Sequence, residues 1–527
     1  MENLTSDNYI TLLAVVAPAF LFLISIIVST VLYKKQSRQN DRLAKENLEL
    51  KKRQLHLAEK RIFIQGNSEL WEKKKYFPNT QQTEQAEIIP SPEVEYIKGT
   101  LSELSIKGAG PASEIKIELA QRANLFTGDN GLGKSFILEI AWWALSGSWA
   151  GFSVYPDSKD KKSPAEITFE IKKESGAVHK TESIYDFQKQ EWLILNNKPL
   201  ISGIVVYARA DGSFAIWDPL RNYKPDKSQN PLVFGKNEIW NGLQYDSDGK
   251  TSFISNGLIK DWIDWQNSPD QSVFTILKNV LKRLSPPNVK QDDIGIIEPG
   301  KPVRIPEDSR KIPTIKQPYG EIPLLYASSG LQRIISLAYL IVWTWEEHKN
   351  KADLTLRESA SKMIILIDEI EAHLHPKWQR KIISSLFGLK QDLYLKNSEL
   401  NMQFLITTHS PLITASLEPE FDADKDKAFH LSLENNNDVR TAITREIEFV
   451  NYGTVNSWLA SDFFDSSQPR SIQAEKAIAR ANGILSGKNV SKDQIRKVSD
   501  DLLRYIAPHD TFWVRWTFFA EQKGVEL

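Results

Sequence analysis

Gly128-Asp129-Asn130-Gly131-Leu132-Gly133-Lys134-Ser135 satisfies G-x-x-x-x-G-K-[ST] at every fixed position. Such a loop cradles the phosphates of a nucleoside triphosphate. Glycines let backbone N–H groups approach the anion closely, and a following helix aims its positive end at the same point. Lys134 suits the β- and γ-phosphates, and Ser135 suits a magnesium ion. The flanks supply the context that the pattern needs. Ile115 to Leu119 alternates apolar and polar as a strand does. Asn124-Leu125-Phe126-Thr127 runs directly into the loop, and Phe136 to Leu145 is apolar enough for a buried helix. The alternative is a chance glycine-rich turn, and this strand–loop–helix setting argues against it.

Two later strands carry polar ends. Met363-Ile364-Ile365-Leu366-Ile367 closes on Asp368-Glu369. Behind a P-loop, one such carboxylate holds the metal and the other stands near the attacking water. Asp368 suits the metal and Glu369 the general base; taken alone, the pair could be an ordinary surface turn. Gln403-Phe404-Leu405-Ile406-Thr407-Thr408 ends on His409. A lone histidine is usually packed or exposed without a role. At a strand end beside a nucleotide it can bond the γ-phosphate or the water. Between these motifs, Tyr326-Ala327-Ser328-Ser329-Gly330-Leu331-Gln332-Arg333 leads into an apolar helix, Ile334 to Trp345. Its start offers free N–H groups to an anion, although Ser-Ser-Gly is also an ordinary cap.

The chain has 527 residues, enough for more than one domain, and 41% apolar and 25% charged residues, as in ordinary folded proteins. A net charge of −1 excludes a global basic field for nucleic acid. The absence of cysteine excludes disulfides, thiolate metal sites and a cysteine nucleophile. No trusted metal-ligand spacing involves Asp292 and Asp293, and Asp422, Asp424 and Asp426 read as a solvated loop. Neither an H-N-H nuclease motif nor a Toprim acidic set is found.

Asn8 to Tyr33 carries no charged side chain, and Leu12 to Leu32 is long enough to cross a bilayer as a helix, which takes about 20 residues. Glu2 and Asp7 precede it; Lys34, Lys35, Arg38, Arg42 and Lys45 follow. The positive-inside rule therefore expects a single-pass protein of the inner or cell membrane, with its N-terminus outside and the rest cytoplasmic. A cleaved signal peptide fits less well, since positive charge is missing before the apolar run. Residues 36 to about 75 read as a basic helix. Leu43, Leu50, Leu57 and Ile64 form one ladder and Leu48, Leu55 and Ile62 another, but their offset is not that of a clean coiled-coil seam. Packing on a partner helix and lying near anionic lipid stay open. Gln81 to Pro92 reads as a linker.

With these motifs in this order, the chain resembles an ABC-type ATPase head of the RecF, SMC and OLD kind, within the AAA family ATPases. Asp368-Glu369-Ile370-Glu371-Ala372-His373-Leu374-His375-Pro376 resembles the D-E-x-E-x-x-L-H-P of the OLD-like, defence-associated branch, and Thr408-His409-Ser410-Pro411 its histidine switch. The resemblance covers roughly residues 95 to 415. It implies an α/β P-loop NTPase fold of ABC-ATPase head type, preceded here by one transmembrane helix and a basic helical stalk. It implies ATP and Mg2+ as cofactors. Gly128, Asn130, Gly131, Gly133, Lys134 and Ser135 would bind the nucleotide, Ser135 and Asp368 the metal, and Glu369 and His409 would be catalytic. In that family a signature loop binds the γ-phosphate of ATP held by the opposite subunit. Ser329, Gly330 and Gln332 match it, while Leu331 replaces its second glycine. A homodimer with ATP sandwiched between heads is thus implied.

The expected domains are an anchor at 1–35, a stalk and linker at 36–94, a head at 95–440 with a compact insert at about 150–320, and a helical extension at 441–527. The insert lacks the heptads of an SMC coiled coil. Gly453 to Leu459 and Phe512 to Trp516 are similar to extensions in anti-phage defence ATPases of the Septu type. That likeness implies antiviral defence and a separately encoded effector as partner. Nucleic-acid binding and chromosome maintenance find no support in the charge. Trp240 to Gln244 is a candidate glutamine loop, or a plain packed turn. His373 and His375 read as a subunit-contact loop rather than a metal site, since a helix would turn them to different faces.

Overall fold

A computed structural model of the chain describes residues 96–526, apart from positions 113 and 202 and the stretches 157–164, 196–199, 223–231, 248–249, 287–295, 394–399, 437–438, 465–469 and 488–489. The apolar segment 8–33 and the stalk 36–94 lie outside the described residues. Among the described residues, no helix is long and apolar enough to cross a membrane.

An eight-stranded sheet organises the head. Its order is Leu232–Phe234, Phe214–Trp217, Ile204–Ala208, Lys362–Ile367, Asn401–Thr407, Ala123–Gly128, Asp426–Asn436 and Val439–Ile447. The five strands from Ile204–Ala208 to Asp426–Asn436 are parallel neighbours; the outer pairings are antiparallel. Parallel strands covered on both faces read as continuous apolar runs, and alternate residues then serve opposite cores. Met363, Ile365 and Ile367 join one hydrophobic cluster; Ile364 and Leu366, on the same strand, join the other. The first cluster holds the helix Ser329–Thr355 together with Ser272–Leu284 and Ile382–Leu393. The second holds the helix Lys134–Ser146, roofed by a five-stranded antiparallel sheet.

That second sheet revises the expected insert. Its order is Glu114–Glu118, Gly99–Lys107, Glu166–Lys173, Val178–Asp186, Glu191–Ile194. Glu166–Lys173 pairs directly with Gly99–Lys107, and Ile204–Ala208 sits in the central sheet beside Lys362–Ile367. Much of the stretch 150–320 is therefore framework of the head. The expected boundary at 440 also moves. Asp426–Asn436 and Val439–Ile447 form a hairpin on the central sheet, so the helical extension does not begin at 441. Trp458 and Phe463 still pack in the first core. A separate small core begins only with the helices Ile472–Leu485, Lys492–Tyr505 and Phe512–Gln522, around Ile478, Leu502 and Trp516. Ser491 and Gln494 close a capping box at the start of the second helix. Asp426 is no solvated acid either: it is buried and ion-paired with Arg122.

Candidate functional site

The P-loop strand Ala123–Gly128 delivers the loop, and the loop delivers the helix Lys134–Ser146. Gly128 has φ 126°, and a Cβ there would stand 2.2 Å from the carbonyl oxygen of Leu431. Gly133, at φ 100°, would meet Pro111 at 2.6 Å. Only glycine tolerates this backbone without strain. The Lys134 ammonium folds over the loop and donates to the carbonyls of Gly128 at 2.8 Å and Asp129 at 2.7 Å. Burial lowers its pKa, against the pull of Asp368 and Glu369.

The neighbouring strands are in register, Ile367 beside Ile406, so their polar ends emerge together. Asp368 is buried and accepts a hydrogen bond from the Thr407 hydroxyl at 2.6 Å; the same hydroxyl accepts from the backbone N–H of Glu369 at 2.8 Å. Glu369 has φ 47°, a left-handed backbone that is costly for a non-glycine residue and tends to occur at functional sites. Glu371 accepts from the Thr408 hydroxyl at 2.7 Å and from the backbone N–H of His409 at 2.5 Å. It thereby fixes the loop that presents the imidazole. Burial lowers the His409 pKa, and the positive charge of Lys134 lowers it further. The neutral form is thus favoured over more of the pH range.

These elements converge. Asn130, Gly131, Gly133, Lys134, Ser135, Phe136, Asp368, Glu369 and His409 line one cleft of about 210 Å³. Gly128 ends the P-loop strand and does not line this cleft. The residues fit a nucleoside triphosphate with a divalent metal: a glycine cradle that a Cβ would fill, a buried ammonium bonded to two loop carbonyls, and a hydroxyl and a carboxylate, Ser135 and Asp368, lining the same cleft.

Ser329, Gly330 and Gln332 do not line this cleft. They open the helix Ser329–Thr355, whose N-cap Ser328 accepts from the Leu331 N–H at 3.4 Å. Ser329 is exposed, and Gln332 turns back to donate to the Leu325 carbonyl at 3.2 Å. Gly330 abuts the turn after the carboxylate strand: a Cβ there would stand 2.4 Å from the His373 carbonyl oxygen. His373 lies in that turn and His375 just after it, in a loop rather than along a helix. His375 caps the short helix Pro376–Gln379 through Nδ1, which accepts from the Lys377 N–H. Among the described residues, no group of three or more metal-binding side chains is found.

Sequence reasoning missed Arg333 and the loop after Ile204–Ala208. Arg333 donates to the backbone carbonyls of Asp368 at 2.9 Å, Glu369 at 3.4 Å and Ala210 at 3.2 Å, and burial lowers its pKa. Arg209 in the same loop pairs with Glu139 of the P-loop helix at 3.1 Å. This loop therefore flanks the site. The candidate glutamine loop does not: Trp240 is a core residue that donates to Ser336, and Gln244 is exposed. Glu371 could have been singled out as the third acid of D-E-x-E.

A parallel sheet with this cleft at its carboxyl edge defines a P-loop ATPase of the AAA/ABC type. The family described as "AAA domain, putative AbiEii toxin, Type IV TA system" matches residues 123–415, more than half of the chain, and the chain belongs to it. Among curated proteins it is similar to the Septu protein PtuA of Bacillus thuringiensis, 27% identical over 318 residues, 59% of this chain and 72% of that protein. It is also similar to the "Retron Ec83 probable ATPase" of Escherichia coli, 26% identical over 161 residues, covering 30% of this chain and 26% of that one. Among solved structures, the SMC head domain from Thermotoga maritima aligns over 66% of this chain and 99% of its own, with a TM-score of 0.32 and 14% identity.

Proposed function

We propose that the chain binds ATP with Mg2+, hydrolyses it between two paired heads, and uses the cycle to drive or gate a prokaryotic defence complex. The observation that carries this reading is the meeting of Lys134, Ser135, Asp368, Glu369 and His409 on one cleft. Lys134 draws charge from the β- and γ-phosphates. Ser135 and Asp368 hold the metal, which neutralises charge on the phosphates when bound. Glu369 orients the attacking water and accepts its proton. His409, favoured as the neutral imidazole, bonds the γ-phosphate or that water. Ser329, Gly330 and Gln332 of a second copy close over the nucleotide, a role consistent with their place off the cleft and with the exposure of Ser329. The likeness to Septu and retron proteins supports the defence context, and a separately encoded effector would complete the complex. The uncharged segment 8–33 supports a single-pass anchor that leaves the head in the cytoplasm.

The test is Glu369→Gln with ATP and Mg2+, followed by light scattering. A nucleotide-dependent dimer that no longer hydrolyses is expected. A variant that stays monomeric and turns over at the native rate removes the mechanism. A second reading is an ATP-gated scaffold with little turnover, favoured by the lack of a second catalytic motif in the sequence. Normal phage protection by Lys134→Ala would exclude it.

A further inference from the structure

The far end of the central sheet holds another cavity. It measures about 770 Å³, within the roughly 300–1,000 Å³ of small-ligand sites. Three parallel strands start on its floor: Arg122 precedes the P-loop strand, Lys362 opens the carboxylate strand and Asn401 opens the histidine strand. The nucleotide cleft lies where these strands end. At about 3.3 Å per residue, the carboxylate strand puts the two sites roughly 20 Å apart. One wall is the helix Ile382–Leu393, with Phe387 and Lys390; another is the end of Glu166–Lys173, with Lys172.

Seven lining residues are lysine or arginine and two are glutamate, so the groove carries a local excess of five positive charges in a chain of net charge −1. Arg122, Arg283 and Lys425 are matched by Asp426, Asp392 and Asp422. Lys172, Lys362 and Lys390 have no ion pair among the described residues. Lys362 is half-buried, and desolvation lowers its pKa despite the nearby Glu174. Holding an ammonium away from water without a carboxylate partner costs free energy, which an entering anion would recover. Phe387 carries the Arg122 guanidinium 4.6 Å from its ring centroid, a surface on which a planar base can stack. Gln121, Gln391 and Asn401 add amides able to bond base edges.

We propose that this groove is a second anion site for a phosphate-bearing ligand of nucleotide size, gripped by Lys172, Lys362 and Lys390 and stacked at the Arg122–Phe387 pair. A free nucleotide and the end of a nucleic-acid strand share that chemistry.

The probe is a 5′-phosphorylated, fluorescein-labelled thymidine tetranucleotide, titrated by anisotropy into the full-length chain carrying Lys134→Ala, which silences the first site. Binding is expected at about 50 mM salt, weakening steeply as salt rises. Adding Lys172→Ala, Lys362→Ala and Lys390→Ala should lower affinity about tenfold and flatten the log–log salt slope by roughly 2. Lys390→Glu alone, at an exposed helical position, should weaken binding in the same direction without threatening the fold. Displacement by ADP identifies the free nucleotide as the source; displacement by unlabelled tetranucleotide but not ADP identifies the strand; either supports the site. No binding at low salt, unchanged affinity in both groove variants, or equal displacement by poly-glutamate would overturn it.

Discussion

Around Lys134 the polar side chains already hold one another: Thr407 grips Asp368, Glu371 grips the His409 loop, and Lys134 spans its own loop. Around Ser329 the arrangement is reversed. Ser329 is exposed, and Gln332 faces back toward its own turn. The first region is organised to place charge and a water, and the second to display a helix start. Preorganised groups act without reorganising at the moment of reaction, whereas a displayed helix start acquires a role when something is brought to it. On the proposed mechanism, chemistry resides in the first region and the dependence on a second copy in the other.

The harshest way to break this contrast is Lys134→Ala. It removes the cationic contact to the phosphates, and nucleotide binding and hydrolysis should both be lost, as read by calorimetry and phosphate release. Next comes Glu369→Gln, which should cut turnover by about 10²–10⁴-fold, the span of general acid–base contributions, while ATP binding persists. Ser329→Arg sharpens the contrast from the other side. Binding by isolated heads should be retained, but the rise of specific activity with protein concentration should vanish. A rate that still rises would place the second copy's contact elsewhere. Glu371→Ala should lower turnover by roughly tenfold, since misplacing a catalytic group by about 1 Å can cost as much as 10²-fold, with little change in nucleotide affinity. An equal loss of affinity would show that Glu371 supports the cleft as a whole.

The smallest effect concerns pH. The His409 pKa is lowered from an ordinary value of 6.5 in the folded chain. The unfolded chain therefore binds that proton more readily, and stability from this group is present above pH 6.5 and lost as pH falls through the folded pKa. Activity that needs the neutral imidazole should likewise hold at pH 6.5 and fall only below it. His409→Gln should flatten the acid limb of the rate profile.

Much of the site was legible because its spacings are local. Gly128 to Ser135 lies on one loop, and Asp368, Glu369 and His409 each end an apolar strand, so adjacency in the sheet brings them together. What the sequence hid is long-range. The pairing of Glu166–Lys173 with Gly99–Lys107 joins residues far apart in the chain, and it turned an expected insert into framework. Val439–Ile447, the second strand of the Asp426–Ile447 hairpin, sits at the sheet edge, where polar residues such as Arg445 and Glu446 interrupt the apolar run and so resemble the expected helical extension. Arg333 and Thr407 act through backbone carbonyls and a hydroxyl, contacts that leave no trace in spacing.

The turn after the carboxylate strand touches both regions. Gly330 rests on its His373 carbonyl, and Glu371 within it holds His409. Only Ala372 lies between Glu371 and His373, so the two contacts share one short span of main chain. A load on the helix start therefore bears on the same short span of main chain that carries the Glu371 bond to the His409 N–H.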